Sequence, residues 1–137
     1  MEMKSYYEQH SELLAIAGRL SKAIAGKLAD TGPAKAAFDI VLELAAKLST
    51  HLAAEDKFLY PKMKTVAGDA SNVAGRLETE MGHIKTAFGD YRKKWGTVNA
   101  IQANAAAFCS DTSGLIAALG KRIDVENRQL YPLAAKI

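Results

Sequence analysis

A single cysteine, only three prolines and no long apolar run set the first limits on this 137-residue chain. Cys109 alone cannot close an internal disulfide, and a chain without a disulfide framework fits a reducing compartment. No stretch approaches the ~20 consecutive apolar residues a membrane span requires, so no membrane partner is expected. The opening residues, MEMKSYYEQHSELL, carry charges where a signal peptide needs its apolar segment. The expectation is a soluble, cytoplasmic protein. Charge of either sign is also unconcentrated: 18 basic and 15 acidic residues leave a net +3, and Arg92-Lys93-Lys94 is the one short basic cluster. Nucleic-acid modules gather basic residues on one face and add aromatic or glycine-rich signatures, so no nucleic-acid partner is expected. Scarce proline beside 49% hydrophobic residues, many of them alanine, favours helices over strands. The length suits one domain over residues 1–137 with a core of its own.

What is present is a repeated pattern. Residues 51–61 read HLAAEDKFLYP and residues 122–132 read RIDVENRQLYP. Both copies carry glutamate at the fifth place and end in Leu-Tyr-Pro. One such pattern twice in a short chain indicates one supersecondary unit used twice. Each copy follows a histidine, His10 or His83, at a similar distance. The chain therefore reads as two helix pairs, each written His … [His/Arg]-x-x-x-Glu-x-x-x-Leu-Tyr-Pro. The histidine lacking from the second copy is replaced by Arg122.

Apolar spacing predicts four helices. The first covers residues 3–29, with Tyr6, Leu13, Ala17, Leu20, Ile24 and Leu28 on one stripe and His10 among them. Asp30-Thr31-Gly32-Pro33 then stops it. The second runs from 34 to about 67, its inward stripe Val41, Leu44, Leu48, His51, Glu55 and Phe58; Pro61 is a point of kinking. His51 and Glu55, four apart, project from one face about one turn apart. The third spans 71–95, with Leu77, Met81, Ile84, Phe88 and Trp95 inward; Glu80 lies nearer the centre of that stripe than His83 does. The fourth runs from about 100 to 135, interrupted around 110–114, with Arg122 and Glu126 in its stripe as His51 and Glu55 are in theirs.

In an antiparallel bundle, residues equidistant from a turn face one another. The midpoint of His10 and His51/Glu55 falls at Thr31-Gly32-Pro33, and that of His51/Glu55 and His83 at Gly68. The midpoint of His83 and Arg122/Glu126 falls near 103, past Gly96, which calls for a longer or crossing connection there. The fold expected is all-α, an up-down antiparallel four-helix bundle with His10, His51, Glu55, His83 and Glu126 at one level.

Taken singly, His51 with Glu55 reads equally as a local ion pair, and Arg122 with Glu126 as an i, i+4 salt bridge. Together, imidazoles and carboxylates in a bundle core suit iron, manganese or zinc, and carboxylates in a core need a cation nearby. The combined pattern resembles the hemerythrin-like family, described as having an HHE cation-binding domain. That resemblance covers nearly the whole chain. It implies an up-down four-helix bundle holding a non-haem di-iron centre, although the ligands present leave mono- or di-iron open, with roles in oxygen or nitric-oxide binding and sensing or in iron handling. It also implies His10, His51, Glu55, His83 and Glu126 as ligands. Arg122 departs from the family pattern: arginine stays protonated and cannot ligate. Five ligands hold one metal more comfortably than two. Glu80 stands three residues before His83, where it could supply a replacement ligand, and Tyr60 and Tyr131 stand where they could hydrogen-bond to the site. Neither a substrate pocket nor a separate proton shuttle is legible, so a binding protein is expected ahead of an enzyme. The other reading is a bundle of this family with a degraded metal site, acting as a scaffold or a regulatory interaction module.

Overall fold

A computed structural model of the chain describes residues 1–137 and contains helices joined by short turns, with no strand. The first limb of the bundle is α1 (Lys4–Ala23). The second is α2 (Thr31–Ala54), continued by the turn Glu55–Leu59 into α3 (Tyr60–Lys64). The third is α4 (Asp69–Met81) and α5 (Ile84–Lys94), separated by Gly82 and His83. After the short α6 (Val98–Ala103), α7 (Ala105–Val125) forms the fourth limb, continued by Glu126–Leu130 into α8 (Tyr131–Ala134). No helix is long and apolar enough to cross a membrane.

Several boundaries differ from the sequence expectation, each for a local reason. The first helix stops at Ala23 rather than 29. Thr31-Gly32-Pro33 does not stop a helix but opens α2, where a proline loses nothing because first-turn N–H groups have no intrahelical partner. Leu28, expected on that first helix, is buried in the connecting turn instead. The third limb breaks at Gly82, where a Cβ would collide with the Glu78 carbonyl oxygen. The fourth is interrupted at Asn104, with φ −146° and ψ 62°, and runs unbroken through 110–114. The longer connection expected after Gly96 is therefore the segment containing α6, whose Ile101 is fully buried. Gly68, at φ +91°, makes the turn between α3 and α4 in a backbone region that side chains rarely tolerate.

The two Glu-x-x-x-Leu-Tyr-Pro segments share one backbone feature. Tyr60 N–H bonds to Glu55 O and Tyr131 N–H to Glu126 O, five residues back rather than four. These are single π-turns. The proline that follows each tyrosine supplies the cause: it donates no N–H and its ring crowds the carbonyl four residues earlier, so the turn ahead widens. Widening changes which side chains face inward. Phe58, expected inside, is 67% exposed, while Leu59, Tyr60 and Met63 are buried; Leu130, Tyr131 and Ala134 match them in the second copy.

The core falls into two apolar clusters. The larger takes Leu13 to Leu20 of α1, the inward face of α2 up to Leu52, Ile84 to Trp95 of the third limb, and Phe108 to Ile123 of the fourth. The smaller takes Met3, Leu59 to Met63, α4, and Leu130 to Ala134. Between them lies a polar layer at the level where both π-turns begin. The third limb passes this level at Gly82-His83.

Candidate metal centre

Four potential ligands meet in that layer. His10, His51, Glu55 and Glu126 are buried, and one ligand atom from each lies within 4.8 Å of all the others. α1 brings His10 between Tyr6 and Leu13. The i, i+4 spacing sets His51 and Glu55 on one face of the second limb, and Glu126 opens the second π-turn.

Each histidine is oriented by a neighbour. His51 Nδ1 donates to Gln9 Oε1 at 2.6 Å, and His10 Nδ1 donates to Asn127 Oδ1 at 2.6 Å. An imidazole that spends its Nδ1–H in this way presents a bare Nε2 lone pair, the arrangement that prepares histidine for a cation. His51 Nε2 lies 3.2 Å from Glu55 Oε1, but the approach is too oblique for a hydrogen bond, so this buried nitrogen has no partner in the protein. His10 Nε2 lies 3.1 Å from Glu126 Oε1. Gln9 and Asn127 escaped the sequence reading. The one signal was their adjacency to His10 and Glu126, together with Asn127 standing where the first repeat has Asp56.

The two carboxylates are held crosswise. Tyr60 Oη donates to Glu126 Oε2 at 2.7 Å, and Tyr131 Oη donates to Glu55 Oε2 at 2.6 Å, each tyrosine serving the other repeat's glutamate. On a regular helix, residues five apart point well away from each other. The π-turn brings Tyr60 above Glu55 and Tyr131 above Glu126, so all four face the interior. Burial and the adjoining carboxylates push both phenols far above their ordinary range, which keeps them as donors.

Arg122 completes the layer. It is 3% exposed; Nη2 lies 3.1 Å from Glu55 Oε1, Nε donates to Glu126 Oε2 at 3.3 Å, and Nη1 donates to Met81 O at 3.4 Å. Burial would lower its pKa, but the two carboxylates outweigh that and raise it. Met81 O lies at the end of α4, so the break in the third limb supplies the acceptor. Outside the layer, a groove of about 430 Å³ lined by Glu80, Met81, His83 and Lys121 opens onto Arg122.

Electrostatics separate the two glutamates. For Glu55, burial would raise the pKa, but the His51 ring, the neighbouring Glu126 carboxyl and the Arg122 guanidinium outweigh it and hold the group at about 2. For Glu126, burial and then the charge of Glu55 raise the carboxyl above its ordinary value, against the pull of His10 and Arg122. One fixed positive charge thus faces two carboxylates, and the charge left over is met by a proton within the layer or by a cation.

Two residues expected at the site stand outside it. His83 is at the right level but exposed, because the backbone turns at Gly82-His83 and presents Met81 and Ile84 inward. Glu80, expected near the inward stripe, also faces solvent. Both line the groove that leads to Arg122.

The residues present fit a metal cation. Two oriented imidazoles and two carboxylates make a donor set for a transition metal. A second ion would have to share both carboxylates with a guanidinium that already engages each of them. The chain matches the family model of the Hemerythrin HHE cation binding domain over residues 3–134. No curated protein and no solved structure matches it.

Proposed function

The chain belongs to the hemerythrin HHE cation-binding family, and on that premise we propose that residues 1–137 form one metal-binding domain holding a single non-haem iron ion through His10, His51, Glu55 and Glu126. The observation that carries this reading is His51 Nε2: a buried, oriented lone pair with no partner in the protein, beside two carboxylates that have one arginine between them. Leaving a buried polar atom unpaired costs roughly 1–3 kcal/mol, and an ion at this position removes that cost. Nitrogen and carboxylate donors in this proportion suit iron, with manganese and zinc the competing occupants. Iron in such a setting supplies redox chemistry and a coordination position for a small ligand, which fits oxygen or nitric-oxide binding and sensing, or iron handling, in the cytoplasm. The protein's own part is to fix both imidazoles through Gln9 and Asn127, to hold both carboxylates through the tyrosines, and to shield the layer with apolar clusters on either side.

A second reading has its own observation. Arg122 bridges Glu55 and Glu126 without any ion, and a bundle stabilised in that way can serve as a scaffold with a degraded site. Elemental analysis of protein expressed in iron-supplemented medium, with its ultraviolet-visible spectrum, separates the two. The metal reading expects iron in the wild type and its loss in His51→Ala. Iron, manganese and zinc all at background in the wild type would sink the metal reading and favour the scaffold.

A further inference from the structure

On the face formed by α2 and α5 lies a cleft of about 270 Å³ that shares no lining residue with the metal centre. It exists because small residues, Ala45 and Ser49 on α2 and Gly89 on α5, stand where these two helices line it. A Cβ added at Gly89 would meet no atom within 4 Å, so this glycine reflects no close approach of backbone. The buried Leu52 and Phe88 give the cleft an apolar base. Its remaining walls are Lys85 and Arg92, with no acidic side chain among them. Arg92 is half-buried, and its Nη1 is inaccessible to solvent and has no hydrogen-bond partner in the protein. The same guanidinium lines the cleft, and its fork of donors suits an anion, most effectively a planar carboxylate.

We propose that this cleft is a binding site for a small carboxylate with a short apolar tail, the head held by Arg92 and Lys85 and the tail laid against Leu52 and Phe88. The volume is below the ~300–1,000 Å³ of sites for drug-sized ligands, which restricts the occupant to a few carbon atoms beyond the head. The apolar base distinguishes this class from a bare inorganic oxyanion, which would gain nothing from Leu52 and Phe88. The two cations distinguish it from a neutral alcohol.

Titration of the full chain with hexanoate, followed by heteronuclear NMR, tests the assignment, with hexanol and inorganic phosphate as comparison ligands. The expected result is saturable hexanoate binding with shifts centred on Leu52 and Phe88, and at least about tenfold weaker binding of hexanol and of phosphate. Arg92→Gln should weaken hexanoate binding about tenfold or more for the same reason. Gly89→Leu offers a variant that keeps the charges: leucine favours a helix interior over glycine, its Cβ has free space, and its side chain fills the cleft, so the protein folds and hexanoate binding disappears. Three results would overturn the proposal: no saturable binding to the wild type, hexanol or phosphate equal to hexanoate, or hexanoate binding unchanged in Arg92→Gln or in Gly89→Leu.

Discussion

Arg122 and Glu55, 67 positions apart in sequence, meet at 3.1 Å in a buried layer, and the same guanidinium reaches Glu126 on its own limb at 3.3 Å. A fixed cation thus stands where the repeated pattern would have placed a histidine. Its charge answers part of what two buried carboxylates demand, and it engages both of the carboxylates that a second ion would have to share. The single-ion reading rests on this relationship.

Removing that cation exposes the cost it covers. Arg122→Ala leaves Glu55 and Glu126 facing each other without a positive partner, and a loss on the order of 3–5 kcal/mol is expected in metal-free protein. Added iron should recover much of it. Arg122→His should instead raise iron occupancy above the wild-type level, because it restores the second His-x-x-x-Glu and removes the competing charge. Chemical denaturation with and without iron, alongside metal analysis, checks both variants.

The histidines divide into two classes. His51→Ala should abolish most metal binding while the chain stays helical, since it removes an oriented ligand. His83→Ala should leave metal content unchanged, since that side chain is exposed at the turn between α4 and α5. Equal losses in the two variants would show that the third limb rearranges to bring His83 inward.

The tyrosines support the site through the carboxylates. Tyr131→Phe removes the donor to Glu55 Oε2 at 2.6 Å and leaves that oxygen buried without it, at a cost of roughly 1.5–3 kcal/mol in metal-free protein. Tyr60→Phe should do the same through Glu126. Both penalties should shrink when iron is bound, because the ion then shares the carboxylate charge. Unfolding curves of the two variants with and without iron measure the difference.

Acid and base act on the two glutamates in opposite directions. Glu55 is lowered from 4.5 to about 2, so the stability it contributes is present above 4.5 and is lost as pH falls toward 2. Glu126 is raised, so its contribution is full below 4.5 and is lost as pH rises through its folded value. Metal-free protein should therefore gain stability from pH 2 to about 4.5 through Glu55 and lose part of it above through Glu126. Glu126→Gln should remove the upper decline and leave the acid limb in place. Metal binding displaces the Glu126 proton, so affinity should rise with pH over the same upper range. Denaturation across pH for both proteins provides the measurement.

Much of the fold could be read from the chain because the apolar stripes are regular and the repeat marks equivalent places on two limbs. Level arithmetic placed His10, His51/Glu55, His83 and Arg122/Glu126 at one height; the structure brings His10, His51, Glu55, Arg122 and Glu126 together and leaves His83 exposed at the adjoining turn. What it could not give was azimuth. The bend at Gly82-His83 turns His83 outward, and nothing in the apolar spacing of Leu77, Met81, Ile84 and Phe88 requires a break between Met81 and Ile84. The π-turns were hidden for a related reason. Leu-Tyr-Pro was visible as a repeat and its tyrosines as possible hydrogen-bond donors to the site, but regular helical spacing put Phe58 inside, and only the widened turn reverses that. Gln9 and Asn127 were illegible because their roles depend on which neighbouring limb each side chain meets, not on their place along their own.

The most direct test of the single-ion account is an anaerobic titration of metal-free wild-type protein with ferrous iron, followed by elemental analysis after removal of unbound ions. Saturation at a single ion per chain, with no retained iron in His51→Ala, is the predicted result. Saturation at two ions per chain would contradict the place given to Arg122, and no retained iron would contradict the site itself.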